Sequence, residues 1–463
     1  MTQALDCIIT GGTVVLPDRT EKLDIGIRDG IIVEMAPSLQ ERSCSRRIQA
    51  DGLHILPGVV DIHVHFNEPG LDAWEGFTTG SAALAAGGIT TYVDMPLNGV
   101  PPTTNAQRLA LKRQAADGNS HVDYALWGGL VEGNTAELEG LAQGGVPGFK
   151  AFMSEPGGDG EDIFTRADDE TLLNGMKELA RLGYVLALHA EDEQMVSELA
   201  AQAQAEGRTS ELDYAHSRPV SAEVTAVERA LHMAKETGCA LHFVHISSRE
   251  AVDVITAAKA EGINVTVETC PHYLVLNEQD LLHKGVVAKC APPLRNANEQ
   301  AQLWQAVELG LIDIIASDHS PCPPEMKQHE NFFKAWGGIS GAQSTLLLML
   351  EEGFHRRGIT LPKLMNMLSL APAERLGLAY RKGRIASGYD ADLVLVDLKR
   401  GAVLEQEHLL DKHRQSPYIG YHFSSTVVET LVRGQSVYSE QAGLLPDKIG
   451  QFMAYQPGGV THG

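Results

Sequence analysis

The chain has 463 residues, 43% of them hydrophobic and 21% charged. That is long for a single ordinary domain and apolar enough for a sizeable core, so one large domain with a smaller companion is expected. A formal charge of −23 disfavours nucleic acid and anionic membrane surfaces as partners, because both repel an acidic surface.

The N-terminus carries no basic start followed by an apolar core and a cleavage site, and no run approaches the roughly 18 apolar residues of a membrane helix. The first 50 or so residues instead read as short strands separated by turns, such as Gly11-Gly12, Pro17-Asp18 and Asp29-Gly30. The same texture returns at Ala391 to Asp397, Val427 to Val432 and Gln435 to Tyr438. The simplest arrangement is one small β domain built from residues 1–52 plus 384–445, with 446–463 as a tail. Two unrelated terminal appendages are the alternative.

Between these ends, apolar strand-like runs alternate with stretches long enough for helices, the pattern of a parallel sheet covered by helices. Eight runs fall in residues 53–383: Leu53 to Phe66, Ile89 to Met95, Val122 to Leu130 and Val146 to Met153, then Tyr184 to Ala190, Ala240 to Ile246, Asn264 to Leu274 and Ile312 to Ser317. Eight β/α units suggest a (β/α)₈ barrel, an α/β fold; counting alone leaves a doubly wound open sheet possible. No GxGxxG or P-loop follows a strand.

Metal-binding residue types fall at the ends of these runs. The first holds His63 and His65, two apart and so on one face of a strand. The fourth holds Lys150, the fifth ends at His189, the sixth at His245, and Asp318 follows the eighth. In a parallel barrel such ends converge on one face, where four imidazoles and a carboxylate suit zinc-like ions. A lone strand histidine is more often structural than a ligand, and His242, on the expected opposite face from His245, is given no role. Coincidence of all five positions on one mouth makes the structural reading improbable. Lys150 finishes a buried apolar strand and must be neutralised or modified. It either forms a buried ion pair or, with its pKa lowered, takes up CO₂ as a carbamate able to bridge two cations. The six cysteines, Cys7, Cys44, Cys239, Cys270, Cys290 and Cys322, form no CxxC pair and fit reduced thiols in cytoplasm.

These residues carry a resemblance. From residues 52–65 (GLHILPGVVDIHVH) to 383–394 (GRIASGYDADLV), the chain is similar to the cyclic-amidohydrolase group of the amidohydrolase superfamily, which contains dihydroorotases, hydantoinases and allantoinases. The resemblance implies a barrel beside a small β-sandwich made from both termini. It also implies two divalent metal ions, zinc foremost, with cobalt, iron or manganese as alternatives, bridged by a carboxylated Lys150. One ion would be held by His63, His65, Lys150 and Asp318, the other by Lys150, His189 and His245. A cyclic amide would be opened by metal-activated water, with Asp318 as general base and then acid. Asn98, Ala291 and Gly337 would touch a small-molecule substrate, and a homotetramer is expected.

Within the group the resemblance is strongest to the allantoinase branch, through Asn67 to Gly70, Asp94 to Asn98, Glu268 to Tyr273, Lys289 to Arg295, Ser317 to Lys327 and Lys334 to Ile339. Dihydroorotases usually carry Arg where Asn67 stands, as a partner for the substrate carboxylate, and His where Cys322 stands. Allantoin has no carboxylate before ring opening, so a site without that Arg suits it. Hydantoinases typically carry Tyr at the position of Glu155 and Asn near Trp336. Another cyclic-amide hydrolase is the alternative, and a metal-free, non-catalytic scaffold the remote one.

Overall fold

A computed structural model describes residues 4–158, 160 and 162–455. The end of the expected tail, 456–463, lies outside the described residues. The architecture is a (β/α)₈ barrel flanked by a β-sandwich. Eight parallel strands make the barrel, labelled in chain order: β1 (Val59–Val64), β2 (Ile89–Asp94), β3 (Asp123–Leu126, resuming as Gly128–Gly129), β4 (Phe149–Phe152), β5 (Val185–His189), β6 (Ala240–Phe243), β7 (Val265–Thr269) and β8 (Ile314–Ile315).

Each strand pairs with its sequence neighbour. The ring closes between β8 and β1, where the His65 N–H donates to His319 O at 2.8 Å and the Ser317 N–H to Asp61 Oδ1 at 3.2 Å. Alternation sorts the side chains. Val60, Ile62, Val93, Ala125, Trp127, Ala187, Val244 and Ala316 form one buried cluster that fills the barrel. Residues of opposite parity, such as Leu186, Leu188, Leu241 and Phe243, pack outward against the helices. Those helices have clear end signals: Asp169–Leu182 is capped by the Asp168 carboxylate and ends on Gly183 at φ 77°, and Arg249–Ala260 is capped by Ser248.

Two expected runs prove composite. Residues 53–66 contain two strands of different sheets, because His54–Pro57 joins the sandwich before the chain turns into β1. At Gly58 the turn runs so close to Thr90 that a Cβ would lie 2.0 Å from its Oγ1, so only glycine fits. The run 264–274 stops as a strand at Thr269, and Pro271 opens a short helix there.

In the sandwich, one four-stranded sheet uses only residues 5–49. The facing seven-stranded sheet mixes ends of the chain: Leu393–Asp397 lies between His54–Pro57 and Thr426–Val432. Ile9, Ile25, Ile55, Leu393 and Leu431 pack between the sheets. Residues 451–453 run along β3, exchanging backbone hydrogen bonds with Tyr124. All six cysteines are free, and among the described residues no helix is long and apolar enough to cross a membrane.

Barrel and sandwich are tied by a buried ionic knot. The Lys382 ammonium lies 2.5–2.8 Å from Asp123 at the foot of β3 and from Asp390 and Asp392, and Arg433 also pairs with Asp123. Removing one partner from such a cluster leaves uncompensated buried charge. Lys382→Met is therefore expected to cost about 3–5 kcal/mol, read as a lower urea midpoint; an unchanged midpoint would show that the knot does not hold the domains.

Candidate metal centre

The strand ends carry their side chains to one mouth. Nε2 of His63 and of His65 lie 3.2 and 3.3 Å from Asp318 Oδ1, so these three form one cluster of donors. Beside it, His189 Nδ1 faces His245 Nε2 at 2.9 Å, and the His63 and His245 rings are 5.4 Å apart. Lys150, fully buried, comes up between these groups from β4; its Nζ has no hydrogen-bond partner among the described residues. Burial presses its pKa down to about 8, which raises the share of neutral, nucleophilic amine over that of an ordinary lysine. The structure thus brings together His63, His65, Asp318, His189 and His245 around the Lys150 strand end.

Backbone geometry at the mouth departs from strand geometry where function would need it. His245 and Asp318 have φ of 40° and 47°, a left-handed conformation that costs a non-glycine residue of order 1–3 kcal/mol. Both His242 and His245 meet Glu268, the first through its ring and the second through its backbone. His242 Nε2 lies 3.1 Å from Glu268 Oε2, and the His245 N–H donates to Glu268 Oε1 at 3.1 Å.

Glu268 is the first of two carboxylates beneath the donors. Its Oε1 accepts from His63 Nδ1 at 2.7 Å, which leaves His63 Nε2 as the outward lone pair. Glu191 does the same for His189, its Oε2 meeting Nε2 at 2.8 Å and pairing with Arg218 at the same oxygen. Burial pushes both carboxyls up, but the His63 and His242 rings on Glu268, and Arg218 and His189 on Glu191, outweigh it and hold each at about 2. Both anions are ionised at neutral pH and fix the tautomers. Neither was picked out as a positioning residue in the sequence. The available signals were a glutamate inside the apolar run TVETC and one two residues beyond a strand-ending histidine.

A cavity of about 780 Å³ opens above this cluster. Asn98, Ala291 and Gly337 all line it, with Trp74, Glu155, Arg218 and Trp336. Its outer wall, residues 325–338, is pinned by buried Lys289, whose Nζ donates to Phe332 O at 2.7 Å and Ala335 O at 2.5 Å. Gly338, at φ 113°, passes so near Ser320 O that a Cβ would sit at 2.1 Å.

Imidazole nitrogens and a carboxylate, each imidazole pair backed by a buried anion, fit divalent cations of the zinc type. Lys150, buried, 5.0 Å above the Phe152 ring and without a hydrogen-bond partner among the described residues, adds a group that gains from becoming an anion. This is the donor set of a metal-dependent hydrolase mounted on a barrel mouth.

Sequence comparison agrees. Residues 54–437 match the family model described as the amidohydrolase family, and the chain belongs to that family. It is 48% identical over 453 residues to an allantoinase of Rubrobacter xylanophilus, covering 98% of both chains. To an allantoinase of Bacillus velezensis it is 46% identical over 450 residues, covering 97% of this chain and 98% of the other. Among solved structures, an L-hydantoinase (dihydropyrimidinase) from Arthrobacter aurescens superposes with a TM-score of 0.94 at 34% identity, covering 97% of this chain and all of that one.

Glu268→Gln keeps the shape but removes the anion that orders His63. It is expected to weaken metal binding about 10–100-fold in a chelator competition while leaving the fold intact by circular dichroism. Unchanged affinity would assign Glu268 to packing alone.

Proposed function

We propose that this protein hydrolyses the hydantoin ring of allantoin to allantoate. The observation that carries the reading is near full-length identity of 46–48% to allantoinases. Two features of the site support it. No arginine stands at Asn67, so a carboxylate-bearing ring such as dihydroorotate would lack that partner, whereas allantoin carries no carboxylate. Glu155 replaces the tyrosine expected of hydantoinases and lines the cavity, where its carboxylate pairs with Arg166 at 3.0 Å.

In this reading His63, His65, Lys150 and Asp318 hold one divalent cation, and Lys150, His189 and His245 the other, with Lys150 as the carbamate. Zinc suits the nitrogen and oxygen donors, though cobalt, iron and manganese share those preferences. Bound there, the cations supply Lewis acidity, acidifying water and polarising the scissile carbonyl. Asp318 takes the proton of the attacking water and returns it to the ring nitrogen as the C–N bond breaks. Water is thereby divided between the new carboxylate and the released ureide nitrogen. Glu268 and Glu191 keep the imidazole lone pairs aimed at the cations, and the 325–338 wall with Trp336 and Gly337 limits access of bulk water. Asn98, Ala291 and Gly337 are the proposed substrate contacts, Ala291 through its backbone. The free cysteines support a cytoplasmic setting; a homotetramer rests on the resemblance alone.

Turnover of allantoin, hydantoin, dihydrouracil and dihydroorotate by metal- and bicarbonate-reconstituted protein tests the substrate. Allantoin is expected to dominate; preference for hydantoin or dihydrouracil would assign the site to the hydantoinase branch. Lys150→Ala is expected to abolish turnover, with partial rescue by short carboxylic acids, and full activity would overturn the bridged pair. Asp318→Asn is expected to fold and to lose about 10²–10⁴-fold in kcat.

A further inference from the structure

Behind Asp318 lies a second group of donors that the hydrolytic reading does not use. Cys270 Sγ, a ring nitrogen of His272 and a carboxylate oxygen of Asp318 all lie within 4.8 Å of one another. Cys270 follows the last residue of β7, and His272 is the second residue of the short helix Pro271–Val275. Cys270 is completely buried and His272 only 1% exposed, yet among the described residues neither ring nitrogen of His272 has a hydrogen-bond partner. A buried imidazole with two unsatisfied nitrogens carries an unrepaid desolvation cost. The ring is held in place nonetheless, at 4.2 Å from Tyr273, whose hydroxyl donates to Pro292 O at 2.7 Å.

We propose that Cys270, His272 and Asp318 form a site for a further, thiophilic divalent cation, and that filling it stops hydrolysis. The donor types select the ligand. Thiolate, imidazole and carboxylate together suit zinc in excess or cadmium and disfavour magnesium or calcium, which take oxygen cages. Binding breaks the Cys270 S–H bond, forms a sulfur–metal bond and releases one proton to solvent. The route in is the active-site cavity, because Asp318 lines it while Cys270 and His272 lie behind.

Inhibition follows from the shared ligand. A carboxylate engaged by this cation cannot also serve as proton acceptor and as ligand in the catalytic pair. The other buried triad of acids, Asp123, Asp390 and Asp392, already encloses the Lys382 ammonium and has no such vacancy for a cation.

The proposal rests on the assignment of Asp318 to the hydrolytic centre. Its test is a titration of the metal-replete, full-length protein with cadmium chloride, read by metal analysis, by the ultraviolet thiolate-to-cadmium absorption band and by allantoin turnover. Wild type should take up one further equivalent, develop the band and lose turnover. Cys270→Ser should fold, turn over without cadmium, lack the band and need about tenfold or more cadmium for inhibition. His272→Gln should show the same shift in inhibition with a weakened band. A band of equal height in Cys270→Ser, or cadmium inhibition unchanged in both variants, would overturn the site. The band needs no turnover. A Cys270-dependent band in a protein that does not open allantoin would overturn the substrate reading and leave the site standing; allantoin turnover without such a band would do the reverse.

Discussion

A parallel ladder that closes on itself leaves no strand end free to drift, and every donor of the centre depends on that closure. Around the mouth, Met95 donates to Val64, Leu130 to Lys150, Met153 to His189, Ile246 to Glu268 and Ala316 to Thr269, until His65 donates to His319 and completes the ring. Each donor side chain sits within a residue or two of one of these bonds. Residues far apart in the chain can therefore hold a common geometry without any flexible arm, which is what a site of convergent donors requires. The strained backbone at His245 and Asp318 persists because this ring over-determines it.

Beneath the ring, charge is arranged in layers. The outer groups are lone pairs that an electropositive centre can use; the inner ones, Glu268 and Glu191, are anions kept ionised by histidines and arginine. His242, Thr266, Arg218 and Arg295 form a further shell around those anions. Burial alone would have neutralised the glutamates, so the balance between desolvation and paired charge sets the tautomer of each ligating ring.

Much of this was legible in the sequence, and for a physical reason. Strand-ending His, Lys and Asp residues are conspicuous because the runs preceding them are apolar, and the HxH spacing states a shared face. Alternation of strand-like and helical stretches pointed to eight β/α units and to a small β domain from both termini, while the sandwich and the choice of barrel over open sheet came with the family resemblance. Glu268 and His242 were less legible, because their roles depend on contacts between strands that alternation does not foretell. The division of residues 53–66 at Gly58 was hidden for a similar reason, since both halves are equally apolar and only the approach to Thr90 separates them. The ionic knot at Lys382 joins residues from three distant segments, and no local pattern announces it.

The mixed seven-stranded sheet has a consequence for how the chain is made. Strands Thr13–Val15, Thr20–Lys22 and His54–Pro57 emerge early from the ribosome, but the partner at Leu393–Asp397 is synthesised after the whole barrel. Until then His54–Pro57 has no partner on that side, and the edge it presents is open. Pairing that edge is a long-range contact across the whole barrel sequence, the kind that closes slowly.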